Sequence, residues 1–134
     1  LTVRKITNAA DLAQQQLAEI RYTDPDTGAM KDAKPEAYHL IPWDLMDEVA
    51  RVYGYGASKY TPQNWRKGYP VSLSVASAFR HLTAIARGED IDPESGMAHY
   101  GHLVFHALAI AGILRDHPDK DDRWKPPSHD QTRQ

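Results

Sequence analysis

Between residues 87 and 106 the chain concentrates groups that do chemistry. Arg87-Gly88-Glu89-Asp90-Ile91-Asp92-Pro93-Glu94-Ser95-Gly96 carries four carboxylates, and His99, His102 and His106 follow it. Asp92-Pro93 reads as an N-cap followed by a first-turn proline, so a helix is expected to start there. On that helix the three histidines fall at i, i+3 and i+7, on one face. Carboxylates at a helix mouth with imidazoles along one side can hold a divalent cation and a polyphosphate. An EF-hand is excluded: counted from Asp90, Gly96 is one place late, Pro93 interrupts the ligand run, and Gly101 stands where the closing Glu belongs. A zinc site is possible on spacing, but two histidines on a helix do not define one.

A second group lies at 59–68. Lys59, Arg66 and Lys67 are interleaved with Tyr60, Asn64 and Trp65. A nucleobase needs a flat apolar surface and an amide to read its edge, and phosphates need cations. The bland alternative is a surface loop whose aromatics pack on the fold. Arg80, beside His81, is either a bidentate phosphate clamp or the ion-pair partner of Glu89 or Asp90. Other chemistries are missing: there is no GxxxxGK[ST] phosphate loop, no GxSxG elbow and no cysteine. His129-Asp130 is the sole His-Asp dipeptide and sits in the tail, which argues against an HD-type phosphohydrolase.

The elements that position these groups read as helices. Residues 10–20 suggest a short amphipathic helix with Leu12, Leu17 and Ile20 inward, and 24–28 is turn chemistry. Residues 29–42 read as an extended approach. A helix over about 43–53 carries the stripe Leu45, Val49 and Val52, with Gly54 and Gly56 loosening its end. A third over about 72–87 has Val75, Phe79, Leu82 and Ala86 inward, Ser72 as N-cap and Gly88 at its C-terminus. The fourth, about 93–115, is apolar on more than one side, which predicts a central helix that also meets a partner subunit. The expectation is an all-α bundle of about four helices, oligomeric. It comprises an N-terminal extension (1–33), a helical domain (34–115) and a polar tail (116–134) anchored by Trp124.

Bulk properties agree with one domain. The chain has 134 residues, 41% hydrophobic and 25% charged. A net charge of −2 gives no general attraction to a nucleic-acid polymer. Without cysteine there is neither a disulfide framework nor a thiolate metal site. No signal peptide and no bilayer-spanning run is evident, so a cytoplasmic location with no membrane partner is expected.

Several blocks, in order, carry a resemblance. They are Lys34-Pro35, Leu40-Ile41-Pro42, Glu48-Val49-Ala50, 55–60, 64–68, Arg80-His81-Leu82 and Gly88 through His99. Over about residues 34–114 the chain resembles the phage dATP/dGTP diphosphohydrolase family, which is similar to the all-α, MazG-like pyrophosphohydrolases. The resemblance implies Mg²⁺-dependent hydrolysis (Mn²⁺ as a substitute) of a purine deoxynucleoside triphosphate to the monophosphate and pyrophosphate, by a homodimer or homotetramer in the host cytoplasm. It implies Glu48 as the helix carboxylate; Glu89, Asp92 and Glu94 as the acidic loop; His99 and His102 as paired histidines; and Lys59 and Arg80 as cations. Glu48, Glu89, Asp92, Glu94 and His102 are then the expected metal ligands. Glu48, His99, Arg80 and Lys59 are the expected catalytic groups. Lys34, Tyr60, Asn64, Trp65, Arg66 and His81 are expected around the nucleotide. Two positions depart from the family pattern: His39 stands for Asp and His106 for Asn. The ExxE and ExxD pairs are not clean either, the first helix offering Asp44, Asp47 and Glu48. Substituted ligand positions also suit a protein that sequesters nucleotide without hydrolysing it.

Overall fold

The computed structural model describes residues 20–128. The helix expected at 10–20 lies almost wholly outside them. The chain divides into two compact units, residues 1–42 and 43–134.

In the first unit a two-stranded antiparallel hairpin corrects the purely α expectation. Strand β1 (Ile20–Thr23) pairs with β2 (Met30–Ala33) in the register Arg21 opposite Asp32 and Tyr22 opposite Lys31. The 24–28 segment is the turn between them. Asp24 Oδ1 accepts the N–H groups of Asp26 and Thr27, both at 2.9 Å. No alternation marked the strands, because four-residue strands with polar, exposed side chains carry almost no period-2 signal. A single 3-10 turn, Tyr38–Leu40, follows.

The second unit is helical: α1 (Trp43–Lys59), a 3-10 turn (Asn64–Lys67), α2 (Val71–Ala86), α3 (His99–Asp116) and a last 3-10 turn (Pro118–Lys120). Helix α3 is central, and both α1 and α2 pack mainly on it. Helix α1 runs past Gly54 and Gly56 to Lys59, six residues beyond the expected end.

Helix α3 starts at His99, not at Pro93. The segment before it closes on itself instead. Asp92 N–H donates to Met97 O (2.8 Å), Gly96 N–H to Asp92 O (2.7 Å) and His99 N–H to Asp90 O (2.9 Å). Gly96 sits at φ +72°, a conformation that no helix continues through and that glycine accepts without strain. The result is a tight loop whose rims, Ile91 and Ala98, form an antiparallel bridge.

The core is made of small and polar groups as much as large apolar ones. Val49, Val52, Val71, Ala98, Ala109 and Ile113 are buried together with Ser74, His99 and His102. Gly101 allows α1 to approach closely, since a Cβ there would stand 2.9 Å from Glu48 O. On α2 the expected inward stripe holds at Val75 and fails beyond it: Phe79 is 66% exposed, and Leu82 and Ala86 also face outward. The covered side of α2 carries Val71, Ser74 and the part-buried Val75, Ala78, His81 and Ile85. Leu45 is likewise exposed on α1.

Ser72 does not cap α2 with its own oxygen. Asp122 does so from across the fold, accepting Ser72 N–H at 2.8 Å and its hydroxyl as well. Nor does Trp124 anchor the tail: it is 83% exposed. His117 holds that segment, its Nε2 donating to Arg66 O at 2.8 Å while its ring abuts Gly68. Among the described residues no helix is long and apolar enough to cross a membrane.

Candidate active site

A cleft of about 1170 Å³ lies in the helical unit, walled by α1 on one side and α2 on the other, over the N-terminal half of α3. Its volume is ample for a nucleotide. Lys59, Tyr60, Asn64, Trp65, Arg66, Arg80, His81, Glu89, Asp92, Glu94, His99 and His102 all line it. The structure thus brings together most of the residues singled out from the sequence.

The end of the cleft at the α2–α3 connection is charged. Helix α2 ends in a Schellman motif, with Gly88 N–H on Ile85 O and Glu89 N–H on Ala84 O, both 2.9 Å, and Gly88 at φ +88°. This fixes Glu89 against His99, whose Nε2 lies 2.7 Å from Oε1. His99 is only 4% exposed, and its other nitrogen meets His81 Nδ1 at 2.9 Å. A proton on His99 Nε2, facing the carboxylate, leaves its Nδ1 to accept from His81 Nδ1–H. His81 Nε2 is then an unprotonated acceptor.

Asp92 is organised in parallel. Its Oδ1 accepts Glu94 N–H (3.1 Å) and its Oδ2 accepts the Ser95 hydroxyl (2.8 Å). Burial raises its pKa, but these two bonds and then the charges His102 and His81 carry when protonated outweigh that, and the carboxyl ends below its ordinary value. Because Ser95 donates to Asp92, it accepts from His102 Nε2–H at 2.7 Å. His102 stacks on His81 with ring centroids 4.5 Å apart and planes within 3°. Burial, and then the neighbouring imidazoles, push the His81 pKa down. Burial also lowers that of His102, against the pull of Asp92. The stack is therefore neutral at pH 7, and the 3.5 Å contact of His102 with Asp92 is not an ion pair there.

Arg80 bonds Ser77 Oγ at 2.7 Å and forms no ion pair among the described residues, so its charge is available to a ligand. Lys59 Nζ lies 5.5 Å from the Tyr60 ring centroid. Trp65 has two tasks. It lines the cleft, and its six-membered ring abuts α3 so closely that a Cβ on Gly112 would stand 2.6 Å away. The Arg66 guanidinium covers the indole at 4.6 Å and is held by Gln63 Oε1 at 2.7 Å. Trp65 is thus a packed wall, whereas Tyr60, 62% exposed, is an open platform.

Glu48 lies elsewhere: it is not among the cleft residues and pairs with Arg51 in its own helix. Lys34 follows β2 in the N-terminal unit and is exposed. Among the described residues no three His, Asp or Glu side chains are gathered as around a metal ion.

Beside His81, whose ring is 5.9 Å from that of His106, the cleft holds two groups that sequence reasoning missed, Tyr69 and Ser74. Tyr69 OH lies 2.6 Å from Ser74 Oγ, which lies 3.0 Å from His106 Nδ1. Phe105 stands edge-on to both Tyr53 and His106. The available signal was the spacing of Ser74 and His81, seven residues apart and so on one face of α2.

The sequence model described as "dATP/dGTP diphosphohydrolase, N-terminal" matches residues 25–123. The dATP/dGTP diphosphohydrolase of Salmonella phage PMBT28 is 31% identical over 97 residues, covering 72% of this chain and 33% of the relative. The chain thus spans about a third of that relative's length. No solved structure matches. With a family match from the hairpin turn to the segment that caps α2, the chain belongs to the dATP/dGTP diphosphohydrolase N-terminal family.

Proposed function

We propose that the cleft binds a purine deoxynucleoside triphosphate and hydrolyses it to the monophosphate and pyrophosphate, in a homodimer or homotetramer. The observation that carries this reading is the polarity of the cleft. Arg80, Glu89, Asp92 and Glu94 line it from the end of α2 and the loop that follows, while Tyr53, Tyr60, Trp65 and Phe105, with the cations Lys59 and Arg66, line it from α1, the segment after it and α3. Exposed Leu73, Phe79 and Leu82 on α2 and Leu108 on α3 supply apolar surface for subunit contact.

Mg²⁺ asks for only one or two carboxylates when phosphate oxygens and water complete its shell, so the absence of a three-residue set does not disqualify the site. Glu89, Asp92 and Glu94 would hold it. When bound, it supplies charge neutralisation on the phosphates and Lewis-acid activation of the attacking water. Arg80 and Lys59 neutralise charge that develops on the phosphate oxygens. His99 has both ring nitrogens engaged and does not meet substrate. Glu89 and His99 instead orient His81, whose Nε2 is the acceptor for the water's proton. Tyr60 stacks on the base.

One observation favours a second reading. Glu48, the helix carboxylate of the family pattern, stands apart from the cleft, and such a site suits a protein that holds nucleotide without turnover. The test is a panel of deoxynucleoside and ribonucleoside triphosphates with and without Mg²⁺, with product analysis. Mg²⁺-dependent pyrophosphate release from dATP or dGTP is expected. Stoichiometric tight binding with no product supports sequestration instead.

A further inference from the structure

We infer that His106, oriented by Ser74 and Tyr69, recognises the purine base, its Nε2–H donating a hydrogen bond to N7. This rests on the reading of the cleft as a purine nucleotide site and names the group that selects the base.

Three observations lead there. The trio lies among aromatic side chains of the cleft, Phe105 standing edge-on to both His106 and Tyr53, and the His106 ring is 5.9 Å from that of His81, so a base held at His106 leaves the α-phosphate of the same nucleotide near His81. His106 Nδ1 is taken by Ser74, whereas Nε2 has no partner. No side-chain nitrogen or oxygen among the described residues is both buried and unpartnered, so Nε2 is open to the cleft that His106 lines. The direction of the chain is also set by its chemistry. A phenol is a better donor than an aliphatic hydroxyl, and a neutral imidazole nitrogen is a better acceptor than a phenol oxygen. Tyr69 therefore donates to Ser74, Ser74 donates to His106 Nδ1, and the ring proton stands on Nε2. Burial, then the charges His81 and His102 would carry, and then the Arg80 guanidinium hold the ring neutral, with its pKa at about 4, so this tautomer persists at neutral pH.

A fixed donor reads an acceptor. On the wide edge of the purines, N7 is the acceptor that adenine and guanine share; the neighbouring group is a donor in one and an acceptor in the other. A pyrimidine has no equivalent ring nitrogen there. The trio thus separates purine from pyrimidine without separating the two purines.

The experiment compares kcat/KM for dGTP and 7-deaza-dGTP, and for dATP and 7-deaza-dATP. In the wild-type protein, replacing N7 by carbon is expected to lower kcat/KM about tenfold, the size of one hydrogen bond. His106→Phe keeps a flat ring without the donor, so it should lose about tenfold on the natural purines and show a deaza ratio near one. Ser74→Ala and Tyr69→Phe release the tautomer and should bring the ratio part of the way to one, while inhibition by pyrophosphate alone stays unchanged. The wild-type ratio needs no variant, so misfolding of any variant leaves the inference testable. A wild-type ratio near one overturns it, and so does a ratio that persists in folded His106→Phe. If the wild-type protein neither binds nor turns over dGTP or dATP, the nucleotide reading itself falls and takes the inference with it.

Discussion

Two neighbouring parts of the cleft, the charged end and the far part around Ser74, His106 and Trp65, are built by different means. The charged end is local. The Schellman turn at Gly88, the closed loop from Asp92 to Met97 and the first turn of α3 are continuous in the chain, and the Glu89–His99 and Asp92–Ser95–His102 contacts span at most ten residues. The far part is assembled across the fold. Ser74 meets His106 over 32 residues, His117 reaches Arg66 over 51, and Trp65 packs on Gly112. A local assembly tolerates loss of global packing better than one whose parts arrive from three elements. The charged end should therefore respond to mutation in rate, and the far part in stability.

The largest expected effect is at the charged end. Asp92→Asn retains an acceptor oxygen for Glu94 N–H, so the loop should persist while the charge is lost. Turnover is expected to fall by about 10²-fold or more, with little change in melting temperature. A variant of normal rate would remove the acidic loop from the chemistry. A variant that unfolds would show that this end is not the self-sufficient piece its bonding suggests.

Trp65→Ala tests the other part. A fully buried aromatic costs about 3–5 kcal/mol on truncation. Trp65 is part-buried, so a loss of about 2 kcal/mol is expected, lowering the melting temperature by several degrees. A change in KM at unaltered stability would instead make the indole a free platform for the base, as the sequence suggested.

How much of each part was legible follows from the same contrast. The acidic loop and its histidines are neighbours in sequence and could be recognised as a site. Tyr69 and Ser74 could not, because nothing in a local window pairs a serine with a histidine 32 positions on. The start of α3 was misread for a related reason. Asp92-Pro93 is a genuine helix-start signal, but the bonds from Asp92 N–H to Met97 O and from His99 N–H to Asp90 O, with Gly96 at positive φ, close a loop there first. Apolar periodicity put Phe79 and Leu82 inside, whereas the face of α2 that meets α3 carries Ser74 and His81. Polar groups satisfied by one another can occupy a core position that a hydrophobic count assigns elsewhere.

Acidification should weaken both parts through the histidine stack. The His106 pKa is held at about 4 by burial, against an ordinary 6.5. Between those values the unfolded chain binds more protons than the folded one, so stability falls as pH drops through 6.5 toward 4. Above 6.5 this group adds no slope. Each such proton contributes up to about 1.4 kcal/mol per pH unit. His81 and His102 are lowered too and act with the same sign. Urea unfolding at pH 7.5, 6 and 5 should show the loss, and His106→Phe should reduce it. A flat profile would mean that the imidazoles are solvated and charged like surface ones.

The smallest effect is expected at Glu48. With Asp44, Asp47 and Arg51 it lies on one face of α1, at spacings of three and four residues, and it pairs with Arg51. Glu48→Gln removes a solvated i,i+3 pair, worth about 0.2–0.5 kcal/mol. Because Glu48 does not line the cleft, turnover should stay within about twofold of normal. The contrast with Asp92→Asn is what gives this small number its value. Both substitutions replace a carboxylate by its amide, so a general charge effect would move both, while a cation held at the acidic loop responds to Asp92 alone. If Glu48→Gln abolishes turnover at unchanged stability, the divalent cation is held by the α1 carboxylates. Titrating Mn²⁺ into the two variants then decides which of the two acidic faces holds the metal, because only the variant that has lost a ligand loses Mn²⁺ affinity.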